Sequence, residues 1–128
     1  MILKPFFAHA LRVQLFHSVL CIIWNVVGVW QLSKGLPAIG PTASVAGISI
    51  ILVLSGLLML GVRSRYVTLY LCVSALLFLA AVSALYGGFT KDPSFWPSEV
   101  WRYAGIIVNM IGLIGFGLAL GYTKQLKN

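Results

Sequence analysis

Four apolar runs constrain this chain more than any other feature. They cover residues 12–32, 44–62, 66–86 and 100–122, and none of them contains Asp or Glu. A helix needs about 20 residues to cross the hydrocarbon of a bilayer. Lipid offers backbone N–H and C=O groups no hydrogen-bond partner, so a run of this kind must bond internally as a helix. The expectation is an all-α membrane protein, with four transmembrane helices in a compact bundle and residues 1–128 forming one domain.

Composition points the same way. The chain is 60% hydrophobic and 9% charged, with a mean hydropathy of +1.00. A soluble domain carries roughly 25% charged residues. A chain this poor in charge would leave large apolar patches facing water.

The net charge is +7, from nine Lys and Arg against two acids. The cations sit at the edges of the apolar runs and form no contiguous basic patch, which argues against nucleic-acid binding. Four crossings put Lys4, Arg12, Arg63, Arg65, Lys124 and Lys127 on one side. Lys34, Lys91 and Arg102 fall on the other, offset by Asp92 and Glu99. The positive-inside rule then places both termini in the cytoplasm. Trp30, Trp96, Trp101 and Tyr103 fall near the outer boundary, where amphipathic rings are favoured. The short loops and compact chain suggest a bacterial cytoplasmic (inner) membrane.

The start of the chain has two readings. Lys4 and Arg12 before an apolar core resemble a secretion signal, but a signal core is about 7–15 residues. The run 12–32 is longer, so an uncleaved helix is favoured, with Phe6 and Phe7 leading in along the interface. Residues 33–43, SKGLPAIGPTA, read as a loop from their two Gly and two Pro. Arg63-Ser64-Arg65 allows only a tight helical hairpin. Residues 87–99, GGFTKDPSFWPSE, form the longest polar connection, with Asp92-Pro93 and Ser98-Glu99 as helix-start signals. The equal separation of Arg12–Gly35 and Arg65–Gly88 hints at two parallel hairpins, but they share few identities.

Within the first run Gln14, His17, Ser18, Cys21, Asn25 and Gly28 recur at spacings of three and four. That spacing gathers small and polar side chains on one helical face. An unpaired amide in hydrocarbon costs several kcal/mol, so Asn25, and Asn109 in the fourth run, should face protein. The face reads as a packing seam, with a polar path for a substrate as the alternative. In the fourth run Gly105, Asn109 and Gly112 make one row of small or polar residues, while Gly117 and Gly121 form a GxxxG pair. Such rows allow close backbone approach, within the bundle, in self-association or against a partner.

No catalytic constellation is visible, and the chain reads as a non-enzyme. Coupled transport usually needs an ionisable acid at membrane depth, and none lies inside a run. His9 and His17 stand about 80° apart around a helix, which strains a shared metal or haem site. No cofactor or metal is expected. Cys21 and Cys72 lack metal-type spacing and read as small buried packing residues. The segment holding Lys91, Asp92, Phe95, Trp96, Glu99, Trp101 and Arg102 combines aromatics, prolines and both acids. It is either an interfacial anchor or an outer epitope.

Residues 55–81, SGLLMLGVRSRYVTLYLCVSALLFLAA, faintly resemble the second hairpin of DoxX-like four-helix membrane proteins. The first run lacks that family's Gly-rich pattern ending in Lys, and the acid often found in its second helix is absent. The length also matches the small fluoride channels, but none of their Phe- and Thr-rich motifs occurs. Three function classes remain. The first is an accessory, regulatory or immunity-type protein that binds a larger membrane partner or itself. The second is a small oligomeric channel or transporter lined by helices 1 and 4. The third is a haem- or quinone-linked redox subunit using His17.

Overall fold

The computed structural model describes residues 5–126, and side chains from Ala8 to Lys124. Lys4 and Lys127, counted above in the charge bias, and the side chains of Phe6 and Phe7 lie outside the described residues. The described chain is all-helical. It comprises α1 (Pro5–Ser33), α2 (Val45–Arg63), α3 (Val67–Thr90) and α4 (Glu99–Leu126), with a short 3-10 turn at Pro93–Phe95. All four helices are long and apolar enough to cross a membrane. At 1.5 Å per residue the 29 residues of α1 reach about 43 Å, beyond a hydrocarbon core of about 30 Å, so α1 must tilt or project.

The helices run up and down in a ring. α1 packs on α2 and α4, and α3 packs on α2 and α4. Residues 64–66 form the turn end of the bundle, together with the described chain ends. Loops 34–44 and 91–98 form the loop end. Large outward residues such as Ile50, Val53, Leu79, Ile107 and Ile114 are exposed on all sides, as lipid-facing residues are.

The turn end is closed by a backbone device. Tyr66 N–H donates to Gly61 O at 2.9 Å and Arg65 N–H to Val62 O at 3.2 Å, with Arg65 left-handed at φ 59°. This is a Schellman ending with arginine where glycine is usual. α1 ends the same way around Gly35, at φ 70°. Just inside the turn, Gly61 lies against the Tyr70 backbone, where an added Cβ would stand 2.9 Å from the Tyr70 nitrogen. α2 and α3 therefore meet almost backbone to backbone at this end.

The core sits here too. Ala10, Leu58, Val62, Tyr70, Val73, Leu77, Ala119 and Tyr122 form one buried cluster. Gln14 is buried beside it and bridges α1 to α3 across the ring. Its amide nitrogen donates to Ser74 Oγ at 2.8 Å, and its carbonyl oxygen accepts from Tyr70 OH at 2.8 Å.

Several boundaries differ from the sequence reading. α3 continues through Gly87 and Gly88 to Thr90 instead of stopping at 86. The reason is packing: Gly88 is a notch for Ile106 of α4, whose side chain would lie 2.9 Å from an added Cβ. A glycine pair that reads as a breaker thus serves a helix crossing. α1 begins before residue 12, at Pro5. Cys72 is exposed on α3 and is no buried packing residue.

Candidate functional site

The α1–α4 seam positions the site. Large side chains of α1 sit on glycines of α4 in one antiparallel register. An added Cβ would stand 3.3 Å from the Trp24 ring at Gly105, 2.7 Å from His17 Cε1 at Gly112, and 3.0 Å from Gln14 Cγ at Gly115. The steps of seven and three residues are the same on both helices, so each large group finds its notch. Gly105 and Gly112 are therefore packing residues within the chain. Gly28 is another, set against Ala43 of the loop. Gly117 and Gly121 are not: an added Cβ at either meets open space, and both face outward.

The polar residues of α1 have separate tasks. Asn25 Nδ2 donates to Cys21 O at 2.8 Å, while its Oδ1 accepts the backbone N–H of Ser44 at 3.0 Å. Ser44 in turn caps α2 through Gly47 N–H, at 2.9 Å. Asn25 thereby fixes where α2 begins. Cys21 Sγ lies 3.3 Å from His17 Nε2. Asn109 Nδ2 donates to Gly105 O at 2.8 Å. His9 is exposed and takes no part in this network.

Above this network the bundle is open. A cavity of about 680 Å³ runs from the loop end down to His17, Ser18 and Leu77. Its α3 wall is mostly small, with Ala80, Ala81, Ser83, Ala84, Gly87 and Gly88 alongside Leu77, Tyr86 and Thr90. α2 contributes Ile51. α2 and α3 touch closely at the turn end, and the small wall residues leave space between them toward the loop end. Ala80, Ser83 and Ala84 are exposed while lining the cavity, so it opens sideways along α3. The volume falls within the roughly 300–1,000 Å³ of ordinary ligand pockets.

Two sets of polar groups border it. The floor holds His17, Ser18, Cys21, Asn25 and Asn109, and none of these is an acid or a permanent cation. The mouth holds Lys91, Trp96 and Arg102. Arg102 is tied down: its NH2 donates to Glu99 Oε2 at 2.6 Å, its NH1 donates to Gly88 O at 3.2 Å, and its guanidinium covers the Tyr103 ring at 4.9 Å. Asp92, in the fully exposed loop, accepts from Ser94 N–H at 2.8 Å, which lowers its carboxyl pKa below the ordinary value.

Ser18, lining the cavity, and Ser55, on α2 away from it, stand apart from the hydroxyls bonded within their own helices. Ser49, Ser64, Thr90 and Thr123 each donate to the carbonyl four residues earlier, between 2.6 and 3.1 Å. That is the usual way a hydroxyl is satisfied in an apolar helix. Ser18 is only 2% exposed, yet its Oγ has no hydrogen-bond partner.

The structure thus brings His17, Ser18, Cys21, Asn25 and Asn109 to one cavity and leaves Gln14 out of it, in the closed network with Ser74 and Tyr70. Of the loop residues singled out by sequence, Lys91, Trp96 and Arg102 line the mouth. Phe95, Glu99 and Trp101 are exposed outside it. Trp24, Gly115 and the small wall of α3 escaped the sequence reading. The shared seven-and-three spacing of 14, 17, 24 and 105, 112, 115 would have found the first two. Among the described residues no group of three or more His, Cys, Asp or Glu comes together. No family model matches the chain, and neither a curated protein nor a solved structure does.

Proposed function

We propose that this protein is a non-catalytic binding protein of the membrane, which takes one apolar small molecule from the bilayer into the loop-end cavity. The observation that carries the reading is the cavity's shape: ligand-sized, open sideways along α3, and closed below by the buried cluster around Leu58 and Tyr70. A lateral mouth suits a ligand dissolved in lipid. The filled turn end weighs against a path crossing the whole bundle.

The described cations support an orientation. Arg12, Arg63, Arg65 and Lys124 lie toward the turn end. Lys34, Lys91 and Arg102 lie toward the loop end with both acids. Under the positive-inside rule the turn end and both termini are cytoplasmic, and the cavity lies in the outer half of a bacterial inner membrane.

Photolabelling tests the reading. The full chain in vesicles is irradiated with a fatty alcohol carrying a diazirine in its tail. Adducts should concentrate on residues 77–88 and be lost in Ala84→Phe, which projects a ring into the cavity. Adducts spread evenly over the outward faces of α2 and α4, and unchanged by Ala84→Phe, would contradict it.

A second reading has one observation in its favour. The GxxxG pair Gly117 and Gly121 faces outward beside exposed Ile114 and Leu120, with room for another helix. That favours an accessory protein docking through α4 to a membrane partner or to itself. Analytical ultracentrifugation of Gly117→Ile in detergent reads self-association directly.

A further inference from the structure

The cavity floor specifies the chemistry of what enters, an inference that rests on the binding reading above. Donors without acceptors gather there. The Ser18 hydroxyl is buried, is unpartnered, and belongs to a residue that lines the cavity. A carboxamide nitrogen carries two N–H groups. Asn25 gives one to its own helix, at 2.8 Å, which leaves the second for another acceptor. Leaving a buried donor without an acceptor is costly. The floor is therefore short of a partner for the Ser18 hydroxyl.

It is equally short of countercharge. His17, Ser18, Cys21, Asn25 and Asn109 hold no permanent charge, and the cations Lys91 and Arg102 stand at the mouth. Arg102 lies seven residues above Asn109 on α4, about 10 Å along the helix axis. A carboxylate or phosphate drawn to the floor would lose its water without gaining a charged partner. The α3 wall is mostly small, and the lateral opening along it faces lipid.

We infer that the floor binds the uncharged carbonyl head of an amphiphile, with the apolar body lying along the small wall of α3 and leaving through the lateral opening. The ligand class is a neutral ketone or ester with a hydrocarbon tail. A glycerolipid ester or a tailed quinone would each supply it. Ser18 turns its hydroxyl to the carbonyl oxygen, and the Asn25 amide donates the second bond.

The test measures binding by thermal shift and by tryptophan quenching on the full chain in detergent. The probes are a short-chain diacylglycerol, a decyl-tailed benzoquinone, the matching headless alkane and a lysophosphatidate. Saturable binding of at least one carbonyl probe is expected, with the alkane much weaker. The two carbonyl arms tell an ester source from a quinone source. Ser18→Ala should weaken that probe about fivefold to tenfold, the loss of one neutral hydrogen bond. It should leave the ligand-free melting temperature equal or higher, because it removes an unsatisfied hydroxyl. Lys34→Gln, outside the cavity, should leave carbonyl binding unchanged.

Carbonyl binding that is lost in Ala84→Phe but indifferent to Ser18→Ala would overturn this inference and leave the binding reading standing. Tighter binding of lysophosphatidate, lost in Lys91→Gln, would overturn it by placing the head at the mouth. If none of the four probes binds, both readings fall together.

Discussion

The two halves of this bundle are built from the same four helices and have opposite characters. At the turn end α2 and α3 touch through Gly61 and Tyr70, large side chains fill the centre, and Gln14 gives both ends of its amide to α3. At the loop end Ala80, Ala81, Ala84 and Gly87 line a cavity, and about 680 Å³ stays open. Lipid supplies no hydrophobic force to press helices together, so packing and hydrogen bonds decide where they meet. The halves differ in side-chain size and in where the hydrogen bonds go. Small groups that allow contact at one end leave space at the other, where no opposing large group fills it.

The largest test of this contrast compares truncations in the two halves. Leu58 is fully buried at the turn end, and Leu58→Ala should cost about 2–5 kcal/mol. Val108 is half-buried beside an existing cavity, and Val108→Ala should cost about 1 kcal/mol or less. Unfolding in mixed micelles by increasing denaturing detergent measures both. Equal losses would mean that the halves are packed alike.

Glycines sharpen the contrast next. Gly61→Ala drives a Cβ into the Tyr70 backbone, which cannot turn aside as a side chain can. About 1–3 kcal/mol should be lost, as in overpacked cores. Gly117→Ala meets open space and should be neutral or stabilising by up to about 1 kcal/mol. The same detergent titration ranks the pair.

Asn25 probes the junction of α1 with the start of α2. Asn25→Leu leaves the Ser44 N–H without its acceptor and should cost about 1–2 kcal/mol. Val26→Leu, on the exposed face next to it, should change little. Hydrogen exchange should rise at the first turn of α2 in the first variant alone.

The smallest effect belongs to the loop 91–98. Asp92 is held below the ordinary carboxylate pKa by Ser94 N–H. Its contribution to loop order is present above the unfolded carboxylate pKa and is lost as pH falls through the lowered folded value. Proteolysis of the loop should accelerate across that acid range in the native chain, and Asp92→Asn should remove the dependence.

The sequence made the fold legible because lipid leaves a long apolar run one backbone solution. Four such runs with short polar links mean four helices. The seam was legible for a related reason: polar groups in hydrocarbon must find protein partners, and Gln14, His17, Ser18 and Asn25 all turn inward or half inward. Their partners were not legible. Gln14 reaches Tyr70 and Ser74 across the diagonal of the ring, a contact that no spacing on one helix encodes. Gly87 and Gly88 read as a break because the notch at Gly88 has meaning only with Ile106 opposite. The cavity was the least legible element. It is a deficit of volume summed over four helices, and no stretch of the chain displays it alone.

The central claim is that one half of the bundle is filled and the other receives a ligand from the membrane. Native mass spectrometry of the full chain, titrated with a short-chain diacylglycerol and separately with a decyl-tailed benzoquinone, tests it most directly. The account predicts one saturable equivalent of at least one probe on the native chain, none on Ala84→Phe, and one on the outward-facing control Leu120→Phe. Identical binding by all three proteins, or the absence of a saturable first equivalent for both probes, would contradict it.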